Sequence, residues 1–181
     1  MQRTVTTPAD LSGEALDDLK SWLGISRARE DGLLMDLLGA SLALCEAYIG
    51  KAPLEQTVEE SIPASARATE LSSSPVIALL AAEAMDENGN RSILGPEDYS
   101  FRIGAPQNAS IEILQPINAE AIVVTIRTGI ASEWGSVPHA LKQGIIRLAA
   151  FHYRDREPGR SSTPPASVAA LWRPWRAMRI A

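Results

Sequence analysis

Apolar residues change period twice along this chain. From residue 12 to residue 50 they recur at helical spacing. Leu16, Leu19 and Leu23 share one face of a first predicted helix. Ser12 is placed to cap it, Glu14, Asp17 and Asp18 sit near its positive end, and Gly24 can stop it. After a short ISRAR link, EDGLLMDLLGASLALCEAYIG repeats Leu34, Leu37, Leu38, Ser41, Cys45, Tyr48 and Ile49 at i, i+3, i+4, i+7. That is the stripe of a core-facing helix. Gly50 ends it and Pro53 follows.

Between residues 54 and 130 the period falls to two. YSFRI sets Tyr99, Phe101 and Ile103 against Ser100 and Arg102. SIEIL puts Ile111 and Ile113 on one face, and AIVVTIRT puts Ile122, Val124 and Ile126 opposite Val123, Thr125 and Arg127. Such β-branched alternation predicts half-buried strands. DENGN and GAPQN supply turn residues. QTVEESI and PVIALLAAEAM are weaker strand candidates, and composition alone leaves the second open to a helix.

Helical spacing returns in PHALKQGIIRLAAFHYRDR, residues 138–156. Pro138 suits the first turn, and Leu141, Ile145, Leu148, Ala149 and His152 line one face of a helix roughly 28 Å long. EPGRSSTPP breaks it. Thr163 is placed to cap a last helix with Pro164 at its first position. That helix must kink or end at Pro174, which has no N–H and clashes with the carbonyl four residues back. The pattern predicts an α+β fold: a small helical bundle of two N-terminal and two C-terminal helices, with a strand-rich antiparallel β insertion between the halves. The expected divisions are an N-terminal helical half at 1–53, a β insertion at 54–130, and C-terminal helices with a docking tail at 131–181. The two helical halves are expected to form one domain.

Composition narrows the class. With 181 residues, 45% hydrophobic and 22% charged, the chain is an ordinary globular protein. One cysteine, Cys45, excludes an internal disulfide framework and a cysteine-cluster metal site. The N-terminal residues show no apolar signal region, and no apolar run approaches the ~20 residues of a bilayer span, so an intracellular origin without a membrane fits. Charge is unevenly spread. Residues 1–60 carry 11 acids and 5 bases, a net −6; residues 61–138 carry 9 and 4, a net −5; residues 139–181 carry 2 and 8, a net +6. An acidic body with a basic end suits an end that meets nucleic acid, an acidic protein surface, or this protein's own acidic part. Arginines gathering at helix C-terminal ends explain part of it without a partner.

The candidates for chemistry are weak. DENGNRSILGPE places Asp86, Asn88, Asn90, Ser92 and Glu97 at loop positions of a calcium-binding helix–loop–helix, but Arg91 stands where glycine is required. Asn88-Gly89 is instead a hairpin signal. Cys45 lies on an apolar stripe, as a buried inert thiol would. His152 faces the apolar side of its helix, His139 sits in a first turn, and nothing completes a triad. Glycine-rich phosphate cradles and G-x-S-x-G are absent. Glu30, Asp31, Asp36 and Glu46 read as a solvated face. No catalytic residue, cofactor or metal is expected.

The end of the chain is different. ALWRPWRAMRIA sets Trp172 and Trp175 three apart, beside Arg173, Arg176 and Arg179 at the same spacing. Trp and Arg dominate protein–protein hot spots, so this reads as a docking segment. The plain alternative is that Trp172 packs back on the bundle.

LKSWLGI, DGLLMDLLGASLALCEAYIG, TIRTGIASEWGSVPHALKQGI and PPASVAALWRPWRAMRI, in that order, resemble the head–tail connector (adaptor) proteins of tailed phages, in the branch shared with gene transfer agents. The resemblance covers most of the chain. It implies a structural role and no enzyme: a ring of about twelve copies below the portal, extending the DNA channel. Its partners would be the portal protein, copies of itself, a downstream tail-proximal stopper or tail protein, and DNA sliding through without sequence-specific binding. The place would be the neck of a virion or gene transfer agent particle, made in the bacterial cytoplasm. Portal or subunit docking would fall on Trp172, Arg173, Pro174, Trp175, Arg176, Met178, Arg179 and Ile180. Acids in the first two-thirds of the chain would line the channel, where a basic wall would brake DNA. Two other classes stay open: a DNA-binding or packaging accessory protein using the basic Trp/Arg end, and a nuclease of the packaging apparatus.

Overall fold

The computed structural model describes residues 2–64, 68–105, 108–155 and 163–176. The fold is α+β, and its contacts divide the chain into two compact units. A β unit takes residues 1–9 and 55–129; a helical unit takes residues 10–54 and 130–181.

In the β unit, strands β1 (Gln2–Thr7), β2 (Gln56–Pro63), β4 (Val76–Met85), β5 (Arg91–Ile93) and β8 (Ala121–Thr128) form one antiparallel sheet in the order β1-β2-β8-β4-β5. Strands β3 (Thr69–Glu70), β6 (Tyr99–Ile103) and β7 (Ala109–Ile113) form a second sheet in the order β3-β7-β6. Pleating sends Val58, Ile62, Ile122, Val124 and Ile126 from the first sheet and Ile111 and Ile113 from the second into one core. At about 1.5–3 kcal/mol for each fully buried aliphatic side chain, that alternation supplies the unit's main driving force. PVIALLAAEAM is a strand. Its register with β8 buries Ala82 and Ala84 in this core, and two register shifts between Val76 and Ala81 accommodate the run. The first strand, QRTVTT, is exposed on both faces, so it has no apolar alternation by which the sequence would announce it.

The helical unit contains α1 (Glu14–Leu23), α2 (Asp31–Ile49), α3 (His139–Arg154) and α4 (Ala166–Trp172). Helix α3 is central and packs against the other three. Leu141, Ile145, Leu148 and Ala149 are buried on it, and Leu34, Leu38, Ser41, Leu42, Cys45 and Ile49 are buried on α2. By length and composition the helix over Ala28–Ile49, which holds an 18-residue stretch of mean hydropathy 1.5, is apolar enough to cross a bilayer, contrary to the expectation from sequence. Its buried stripe is the seam against α3.

Three boundaries differ from expectation. Ser12 does not cap α1, because Asp10 captures its N–H at 2.9 Å and its hydroxyl at 2.6 Å. Gly13, at φ 67°, takes the cap position and its carbonyl accepts from the Asp17 N–H. Thr163 does not cap α4. Pro165 forces its predecessor, Pro164, out of the helical region, so the helix starts at Ala166 with the Pro165 carbonyl accepting from Val168 and Ala169. Helix α3 has 16 residues, about 24 Å, rather than the 19 the pattern suggested. At the other end Pro174 acts as expected: α4 stops at Trp172 and Arg173–Trp175 form a single 3₁₀ turn.

Candidate functional site

The Trp/Arg segment divides into an inner and an outer half. Trp172 is fully buried in the chain's own helical unit. Its indole Nε1 donates to the Leu141 carbonyl at 3.4 Å, and its ring tilts against Tyr48 with centroids 5.9 Å apart. Space for the indole exists because residue 144 is glycine: a Cβ there would overlap Nε1 and sit 2.7 Å from Cε2. Trp172 is therefore the anchor of the segment, not a free docking group. A glycine in the middle of α3, at about 1 kcal/mol against helix formation, is the sequence signal that a close approach was needed.

The outer half is presented to solvent. Arg173, Pro174 and Arg176 are exposed and Trp175 is partly exposed. The Arg176 guanidinium lies 5.5 Å from the Tyr48 ring centroid, so Tyr48 touches both halves. Met178, Arg179 and Ile180 lie outside the described residues.

A second feature escaped the sequence reading. Trp22 on α1, Arg147, Phe151 and Arg154 on α3, and Pro165 and Val168 at α4 line one open groove. Trp22 and Phe151 are 43% and 47% exposed, high for such large apolar side chains. The Arg147 guanidinium covers the Trp22 ring at 5.6 Å. Trp22 follows the buried Leu19 by three residues and Phe151 follows the buried Leu148 by three, so helical spacing alone gives no sign that either is exposed.

The other candidates resolve into structural roles. Asp86–Asn90 is the turn between β4 and β5: Asp86 Oδ1 accepts from the N–H groups of Asn88 and Asn90, and Oδ2 accepts from Asn90 Nδ2. These bonds, led by the Asn90 side chain, hold Asp86 below the usual carboxylate range. Cys45 is buried, and desolvation, with the Glu46 charge beside it, pushes its thiol well above the usual range. Two acids read as solvated have partners: Glu30 accepts from the Tyr153 hydroxyl at 2.8 Å, and Asp31 pairs with Lys20 at 2.7 Å. Glu60 is fully buried in the β unit and accepts from the N–H groups of Ser72 and Ser73 at 2.8 and 2.7 Å. Among the described residues no three His, Cys, Asp or Glu side chains gather as a metal site would require.

No protein-family model matches the chain. No curated protein sequence matches it either. Solved structures do. A chain from the neck of an empty gene transfer agent particle, computed with six-fold symmetry, superposes with a TM-score of 0.77 at 20% identity, covering 100% of this chain and 98% of that one. Chains from the virion of a native gene transfer agent particle and from its neck, computed with twelve-fold symmetry, both give 0.76 at 22% and 21% identity, with the same coverage. Over its whole length, this chain has the fold of a protein built into gene transfer agent particles.

Proposed function

We propose that this chain is a structural component of the neck of a phage-like particle: a head–tail adaptor that forms a ring below the portal, extends the DNA channel and presents a surface to a tail-side protein. The observation that carries this reading is the end-to-end fold match, 100% of this chain against 98% of a neck protein solved in a twelve-fold assembly. The acidic body and basic C-terminal end support it, since an acidic lumen lets DNA slide while the arginines serve contacts.

In this reading the docking residues are Arg173, Pro174, Trp175 and Arg176, continued by Met178, Arg179 and Ile180. Trp172 holds the segment's root in the bundle. The test is co-migration with the portal ring of the same particle, by size exclusion with mass detection. Removing α4 would open the core, so the comparison is between the full chain and the triple variant Arg173→Glu, Trp175→Ala, Arg176→Glu. The expected result is that the full chain joins the portal about one to one, while the folded triple variant binds at least tenfold more weakly. If both join equally, the adaptor reading stands and the docking assignment fails. If neither joins, and the full chain instead binds short DNA with steep salt dependence, the accessory DNA-binding reading replaces it.

A further inference from the structure

We propose that the groove between α1, α3 and α4 is the socket for a second copy of this chain, and that the tip of β5 is the plug. The inference rests on the ring reading above and names the surfaces that would close it.

The socket has an aromatic floor and a cationic rim. Trp22 and Phe151 leave apolar surface open, and Arg147 and Arg154 stand beside it. An occupant that satisfies both must carry an apolar side chain next to a carboxylate. This chain presents both groups within one short exposed stretch of sequence. Ile93 is 83% exposed, the largest exposure of any large apolar side chain among the described residues. Leu94 donates to the Ala82 carbonyl at 2.9 Å and packs toward the sheet core, so the pleat turns Ile93 outward. Four residues on, past Gly95 and Pro96, Glu97 is exposed. Net charge favours the same pairing. The β unit, which carries the plug, has a formal charge of −6, and the helical unit, which carries the socket, has +1.

Plug and socket are different surfaces, so the contact is heterologous. Each copy then offers one of each, and repetition gives a closed ring or an open filament rather than a two-fold dimer. Burial of an isoleucine against two aromatics supplies the attraction, and the charges set the register.

The experiment is disulfide trapping in the full chain. Cys45 is buried with a raised thiol, which keeps it silent under native conditions. The variant Ile93→Cys with Ser167→Cys, on the exposed lip of the socket, is mildly oxidised with and without the portal ring, and native mass spectrometry follows assembly of the unmodified protein. The expected result is a ladder of cross-linked oligomers from the double variant and none from either single variant. A second pair guards against a failed cross-link. Arg154→Glu and Glu97→Lys should each weaken self-association roughly tenfold, and together in one chain should restore it. Assembly by mass spectrometry with no ladder and no rescue overturns the plug and socket while leaving the ring intact. A dimer trapped by Ile93→Cys alone means a two-fold contact and also overturns it. No assembly of the unmodified protein, alone or on the portal, removes the ring reading itself.

Discussion

Gly144→Ala is a substitution whose sign should depend on one other residue. In a helix interior alanine is favoured over glycine by about 1 kcal/mol. Here the new methyl would overlap the indole nitrogen of Trp172 and approach Cε2 and Cδ1 at 2.7 and 2.9 Å. The ring is a rigid bicycle, fully buried and bonded to the Leu141 carbonyl, so it must move as a body. Forced shifts of this kind cost about 1–3 kcal/mol, and losing the indole's packing altogether costs about 3–5 kcal/mol. Set against the propensity gain, the net loss should be about 2 kcal/mol, a fall in Tm of roughly 4–8 °C. With Trp172→Ala already in place there is nothing to clash with, and Gly144→Ala should then stabilise by about 1 kcal/mol. Coupling between the two sites is therefore about 3 kcal/mol. Denaturant unfolding followed by tryptophan emission reads it cleanly, because all four tryptophans lie in the helical unit. An equal cost in both backgrounds would refute the close approach as the reason for the glycine.

Glu60→Ala should destabilise the β unit by about 2–4 kcal/mol, since it leaves the Ser72 and Ser73 N–H groups without their acceptor; unchanged amide exchange at those two residues counts against it. Glu59 is held below the usual carboxylate range chiefly by hydrogen bonds from Arg91, at 2.9 Å to each oxygen. A depressed folded-state pKa contributes stability that is present above the unfolded value and lost as pH falls through the folded one. The stability gap between the parent and Arg91→Ala should thus be present at neutral pH and close below about pH 4, and an NMR titration should move Glu59 upward in the variant. Cys45 should resist a thiol reagent at pH 8 in the folded protein and react only at the rate of unfolding; rapid labelling under native conditions contradicts its burial.

The periodic elements were legible because burial on one face imposes a period. Leu34, Leu38 and Ile49 on α2, Leu141 and Ile145 on α3, and Ile122, Val124 and Ile126 on β8 are all buried where the pattern placed them. Turn chemistry was legible for the same local reason: Asn88-Gly89 can turn, with Gly89 at φ 81°, and Gly24 and Gly50 end their helices in left-handed conformations. Caps were less so, because Ser12 and Thr163 each met a stronger neighbour, Asp10 in one case and Pro165 in the other.

By itself the sequence determined the α+β class, the succession of two helices, a strand-rich block and two further helices, the break at Pro174 and the gathering of Trp and Arg at the end. These follow from local sterics and from periodicity within one element. Only the tertiary structure decided that Trp172 turns inward while Arg173 and Arg176 stay out, that QRTVTT is a strand, and that Trp22 and Phe151 meet beside Arg147 and Arg154. Each of these depends on residues far apart in the chain: Gly144 opens the space under Trp172, and β2 supplies the ladder for β1. A local pattern says which face is apolar; packing alone says what covers it.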